Sequence, residues 1–478
     1  MFFLQEVSFM SKKVPCIQHV MDTSQGLNRH MTTRAAVMTG VGGTIGTGLF
    51  LSSGDVISTA GPGGAIVMYL IGGLIVWLMT TCLGEMSAAM PVSGSLQAYS
   101  TEFVGPAMGF TIGWVNWIGG AMTITAQVVA SAIIMRDIIP NSPTWLWIVV
   151  FSALLFGVNM LDVKIFGNIS FWASSIKLIM IVAFIIVGAG MMGGLGSGDA
   201  VGFSNFSDGA FPTGLAGMGA VILTSFYAYA GTEIVASTAG EIQDENKMGR
   251  AINITLLVLI GSVVISIAIV AALLPWQQAN VLGSPFVYVF RNAGMPSAAL
   301  IVNIVVLTSA LTSGNYFTFA CARYLWSMAK FEQAPKYFAK TNKNGVPARS
   351  LIVSMLFAMI GIVAQFVAED TVYLFIVYFI GGANIFMYSV ICISQYRFRK
   401  RYIAEGGDLK DLKFRVASYP LVPILGVLAF LVMLVVSLID ASQRTGIIVS
   451  AICYIGIYIL ATLYVKKHGD ARAKNIDM

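Results

Sequence analysis

The fold class predicted for this chain is an all-α integral membrane protein: twelve transmembrane helices, arranged as two five-helix halves of inverted topology plus two C-terminal helices. Three observations predict it. First, 57% of the 478 residues are hydrophobic and 10% are charged, with a mean hydropathy of +0.81, whereas a water-exposed surface normally needs about 25% charged residues. Second, apolar runs long enough to cross a bilayer, roughly 20 residues each, recur along the whole length. Third, two of these runs, five spans apart, are interrupted at their middles.

In order, the runs lie at 34–56, 62–90, 106–138, 144–161, 168–192, 213–240, 251–274, 297–328, 350–368, 371–396, 418–439 and 446–465. Each is bounded by charged or Pro/Gly-rich loops. The expected organisation is a tail at 1–33, a twelve-helix domain at 34–465 and a second tail at 466–478. Within the domain, repeat one covers about 34–192, repeat two about 213–396, and the extra helices about 418–465. Met1–Met10 lacks the basic start of a cleavable signal, so none is expected.

The net charge of +6 suggests nucleic acid until the charges are placed. Of the 28 lysines and arginines, 23 fall in the tails and in alternate loops. Arg136, Arg291 and Arg444 fall in the opposite loops, and Lys177 and Arg323 fall within spans. Such a split points to membrane topology, with both termini cytoplasmic. Cys16, Cys82, Cys321, Cys392 and Cys453 show no CxxC spacing, and the three histidines are scattered. Neither a metal site nor a disulfide framework is expected.

The first interruption is Gly40-Val41-Gly42-Gly43-Thr44-Ile45-Gly46-Thr47-Gly48, with five glycines in nine residues. The second, in span six, is Phe226-Tyr227-Ala228-Tyr229-Ala230-Gly231-Thr232-Glu233. Each glycine costs up to ~1 kcal/mol relative to alanine in a continuous helix. Gly42 and Gly46 make a GxxxG spacing, which by itself reads as close helix packing. The full run and its counterpart in span six favour instead a pair of broken helices, the pattern of inverted-repeat transporters.

These residues resemble a known family. Gly42-Gly43-Thr44-Ile45-Gly46-Thr47-Gly48-Leu49-Phe50 looks like the first-helix signature of bacterial amino-acid permeases of the amino acid–polyamine–organocation superfamily. The likeness continues through Ala60-Gly61-Pro62, Leu83-Gly84-Glu85-Met86, Gly231-Thr232-Glu233, Ala239-Gly240-Glu241 and Ser394-Gln395-Tyr396-Arg397. It implies a leucine-transporter-type five-plus-five repeat and secondary, ion-coupled amino-acid transport in a bacterial cytoplasmic membrane. By that analogy Gly46, Thr47 and Gly48 hold the substrate carboxylate. Carbonyls near Thr44, Tyr227 and Ala230 hold its ammonium, Ile45, Gly231 and Gln127 belong to the same substrate site, and Tyr227 or Tyr229 gates the pocket. The physics agrees, since a zwitterion inside a membrane needs donors and acceptors that a broken helix supplies from backbone. No cofactor is implied beyond protons as the coupling ion, and the partners are the amino acid and the bilayer, with no nucleic acid and no obligate protein.

Five charged residues within spans or at their ends then need roles. Lys177 lies deep in span five and is either the proton-coupling group or a permanent structural charge. Glu233 follows the second break and is a helix-terminus carboxylate or a proton-sensitive gate. Glu85, Glu241 and Arg323 form an inner-gate network or are simply solvated helix ends. Gln127 stands where many of the family carry a glutamate, which tilts the expectation toward neutral substrates. Met122, Tyr316 and Phe319 either shape an apolar pocket or only pack. A proton-coupled symporter leads. An exchanger, an arginine- or lysine-type permease and a non-transporting nutrient sensor remain the alternatives, and no catalytic constellation suggests an enzyme.

Overall fold

The computed structural model describes residues 14–23, 32–92, 94–160, 163–194, 201–207, 209–234, 247–279, 283–342, 345–367 and 372–468. The first half comprises α1 (Pro15–Thr23), α2 (Thr33–Thr44), α3 (Thr47–Phe50), α4 (Ser53–Ala89), α5 (Ser95–Phe103), α6 (Pro106–Ile138), α7 (Thr144–Asn159) and α8 (Val163–Met192). The second comprises α9 (Gly214–Ala220), α10 (Ile222–Tyr227), α11 (Met248–Leu273), α12 (Pro285–Asn292), α13 (Pro296–Lys330), α14 (Ala348–Val367) and α15 (Val372–Ala404). Two further helices, α16 (Leu421–Ile439) and α17 (Ala441–His468), close the chain.

Among the described residues eight helices are long and apolar enough to span a bilayer. The other four spans are the two broken ones and the shorter helices α7 and α14. Within α4, Gly61 adopts φ 75° and ψ 174°, so the 37-residue run is really two helices, and the first belongs to span one. Pro62 then starts span two, where its missing N–H costs nothing.

The two halves repeat one order of elements. Each has a broken span, a long helix, a short loop helix, a helix of 33 or 35 residues, a short helix of 16 or 20, and a helix of 30 or 33. Neither loop helix, α5 or α12, was expected from the apolar runs, because each is amphipathic and only nine or eight residues long. The helix α1 is a further addition, within what the sequence suggested was a plain tail. Its Cys16 is fully buried, and the Cys16 backbone N–H donates to Glu405 at 2.7 Å.

The lipid-facing surfaces carry bare aliphatic side chains, such as Ile179 (64% exposed) on α8 and Ile452 (66%) on α17. In water such a patchwork would be unstable; in a bilayer it is ordinary solvation. The α6–α13 pair forms the most extensive helix contact. Together these two helices flank both breaks.

Candidate functional site

Helix α2 ends at Thr44 and α3 begins at Thr47, so the chain unwinds at Ile45 and Gly46. The second break runs through Ala228–Gly231, where Gly231 takes φ +97°, a conformation that L side chains rarely adopt. The breaks touch backbone to backbone. A Cβ on Gly48 would lie 2.6 Å from Ala228 Cα and 2.9 Å from the Tyr227 carbonyl oxygen. Here glycine serves proximity. The hydroxyls of Thr47 and Tyr227 share a hydrogen bond at 3.5 Å across the crossing.

Inside a membrane, carbonyls freed by unwinding need partners. Lys177 Nζ donates to the Gly42 and Ile45 carbonyls, each at 2.9 Å. The lysine is 2% exposed and, among the described residues, no carboxylate pairs with it. Its reach depends on small residues one turn away: a Cβ on Gly42 would collide with the Ser174 side chain, so α2 and α8 lie in direct contact. Ser309 and Ser313 on α13 donate to the Ile45 and Gly43 carbonyls at 3.3 and 3.4 Å. Nothing in the sequence had singled out these serines; their i, i+4 spacing on an apolar helix was the available signal.

Gln127 also faces the first break, not the side-chain space. Its Oε1 accepts from the Thr47 N–H at 3.4 Å, and a Cβ on Gly46 would lie 2.8 Å from its Nε2. Its lack of charge therefore bears directly on the first break. Thr44 returns its hydroxyl to the Gly40 carbonyl at 2.9 Å.

Tyr227 lies at the crossing, whereas the Tyr229 hydroxyl donates to the Tyr69 carbonyl at 2.8 Å and ties the second break to α4. Glu233, 6% exposed, accepts from the Tyr388 hydroxyl at 2.6 Å. Ala230, Gly231 and Glu233 share a small cavity with Asn116, Gly119, Gly120 and Thr123 of α6, Phe317 of α13, and Asn384 of α15. Asn116 also borders a larger cavity of about 250 Å³ toward the α5 end, where Tyr316, Phe319 and Arg323 stand. The two cavities form a line from the breaks toward one face of the membrane.

Of the inner-gate candidates, Glu85 and Arg323 do not pair with each other. Glu85 pairs with Arg399, which donates from Nε at 2.6 Å and also from Nη2, and Glu85 accepts the Val416 N–H at 2.6 Å as well. Arg323 instead stacks over the Phe319 ring and lines the 250 Å³ cavity. A lone helix-end arginine was visible in sequence, but Arg399 lay in a basic cluster that masked its partner. Glu241 lies outside the described residues.

Continuous helices interrupted at paired positions, with polar groups converging on the unwound backbone, define a multi-pass membrane transporter. The same overall fold appears in the manganese transporter of Eremococcus coleocola, with a TM-score of 0.56 at 13% identity, covering 95% of this chain and 99% of that one. The chain belongs to the amino acid permease family, which matches residues 35–474. It transports amino acids and is not an enzyme. Amino-acid permease RocE of Bacillus subtilis is 39% identical, covering 94% of this chain and 98% of the relative. The lysine-specific permease LysP of Escherichia coli is 36% identical, covering 86% of each. The histidine permease HisP of Lactococcus lactis is 34% identical, covering 85% of this chain and 88% of the relative.

Proposed function

We propose that the protein is a proton-coupled symporter that carries amino acids into the cell, with both termini and the α5 end cytoplasmic. The 23-to-3 split of lysines and arginines supports that orientation. The substrate carboxylate takes N–H groups at Gly46–Gly48, where Gln127 now accepts from Thr47. The ammonium takes carbonyls at the second break, near Tyr227 and Ala230. Repeat one and repeat two rock about this point, and the line of cavities past Arg323 serves as the exit. Glu233 and its Tyr388 partner stand beside that exit as the second titratable element.

The observation that carries the coupling role is the Lys177 ammonium bridging the Gly42 and Ile45 carbonyls. Protonated, it holds α2 against α8 across the break. Once the proton leaves, the amine satisfies those carbonyls less well, the break loosens, and release follows. The test is uptake of a panel of labelled amino acids into proteoliposomes under an imposed inward proton gradient. Wild-type protein accumulates its substrate only with the gradient. Lys177→Ala binds substrate but does not concentrate it. Gradient-driven accumulation by that variant at matched protein level refutes the role, and accumulation that needs an amino acid inside in place of a gradient marks an exchanger.

A further inference from the structure

Among the described residues, Arg323 is a cation that no carboxylate pairs with. Its half-buried guanidinium lines the cavity of about 250 Å³ between α5, α6 and α13, and no Asp or Glu shares that lining. The group stacks 3.3 Å from the centre of the Phe319 ring, and Nη1 donates to the Phe319 carbonyl at 3.4 Å. A guanidinium stacked by its face keeps N–H groups in its plane, where they form the fork that grips a carboxylate. The Ser327 hydroxyl stands one turn further along α13 on the same cavity wall. The first turn of α5, with Ser95, Leu96 and Gln97, borders this space and adds the positive end of a helix dipole. A half-buried cation with no counter-charge is costly, so the cavity favours an anionic guest. Its size suits more than a bare ion: a cavity of about 150 Å³ takes a benzene molecule, and this one is larger.

We propose that the Arg323 cavity is a second amino-acid site, on the exit side of the breaks, which takes the substrate by its α-carboxylate. The inference rests on the reading that the breaks hold the amino acid and release it toward the α5 end. The two sites are distinct. A Cβ on Gly43, at the first break, would lie 3.8 Å from the Tyr316 ring. Tyr316 is two turns from Arg323, about 10 Å along α13. An amino acid held at the breaks therefore cannot rest its carboxylate on Arg323. The breaks must satisfy both ends of a zwitterion, whereas Arg323 and Ser327 address the carboxylate alone. The inner site thus accepts a simple carboxylate as well and refuses an amine. On leaving, the amino acid exchanges the N–H groups at Gly46–Gly48 for the guanidinium fork, so its carboxylate keeps charge-compatible donors until water takes over.

The experiment places a thiol on the cavity wall with Ala320→Cys in the full-length chain and follows its alkylation by N-ethylmaleimide in everted membrane vesicles. The parent chain, whose Cys321 is fully buried, sets the background. Alanine, histidine and propionate should each slow alkylation, while propylamine and chloride should not. With Arg323→Gln added, the concentrations giving half-protection should rise about 10- to 100-fold, the range for hydrogen bonds to a charged group. Arg323→Lys, which keeps the charge without the fork, should fall between. With Gly46→Val added, protection should persist, because it does not pass through the breaks. Protection lost in Gly46→Val would show that amino acids act from the breaks, and would overturn the inner site. So would equal protection by propylamine or chloride, no protection by the amino acids, half-protection unchanged in Arg323→Gln, or a thiol that the reagent never reaches. High-affinity binding that survives Gly46→Val, by contrast, sinks the main-chain reading of the breaks and leaves the Arg323 site standing.

Discussion

Replacing Gly48 by alanine adds one methyl group at the point where the two broken spans cross. Its carbon would lie 2.6 Å from Ala228 Cα, 2.8 Å from Ala228 N and 2.9 Å from the Tyr227 oxygen. All three are backbone atoms, so no side chain can turn aside. Carbon atoms settle at about 3.5–4.0 Å, so the spans must part by about 1 Å. Overpacking of this kind costs about 1–3 kcal/mol. If about 2 kcal/mol falls on the bound arrangement of the breaks, affinity drops roughly 30-fold. The control is Gly261→Ala on α11, where a Cβ meets nothing within 4 Å and helix propensity favours alanine by up to about 1 kcal/mol. Thermal unfolding in detergent and substrate affinity should separate the two variants: Gly48→Ala loses both, while Gly261→Ala keeps both. Wild-type affinity and unfolding temperature in Gly48→Ala would show that the breaks do not touch as described, and the site would fall with them.

Gly46→Val should abolish substrate binding with less harm to folding, because its new atoms meet the ends of the Gln127 and Ser313 side chains; unaltered affinity in competition binding would remove the first break from the site. Glu85→Gln leaves Arg399 buried at 4% exposure without its carboxylate, a loss of about 3–5 kcal/mol in thermal stability, whereas the double change Glu85→Leu with Arg399→Met should be milder. Arg291→Ala removes a half-exposed ion pair to Asp137 and should change stability by no more than about 1 kcal/mol. At Glu405, burial works against the carboxylate, but Arg401 and the Cys16 backbone N–H outweigh it and hold the group below its ordinary 4.5. The contribution to docking α1 is thus full above that ordinary value and is lost as pH falls through the lowered one. Glu405→Gln should release α1 at neutral pH, read as faster maleimide labelling of Cys16, whose thiol burial pushes up to about 12.

The number and order of the spans were legible in the sequence because length, hydropathy and lysine/arginine placement act locally. A bilayer filters each segment on its own composition. The breaks were legible for the same reason, since a run of five glycines is a backbone property. The three helices α1, α5 and α12 were not, because short amphipathic segments become helical only when a neighbour covers their apolar face. Pairings likewise belonged to the tertiary structure. Glu85 with Arg399, 314 residues apart, and Ser309 and Ser313 on the first break are matters of which helix ends meet. Sequence singled out Gln127 but not its contact with the Thr47 N–H, and it passed over Asn116 and Asn384, which the packing of α6, α13 and α15 turns into one cavity. What the sequence determined by itself was which segments cross the membrane and where the backbone unwinds. Which side chains converge on the unwound carbonyls and N–H groups was decided only by the way the two halves pack, because a polar group inside a membrane must find its partner wherever the fold brings one within reach.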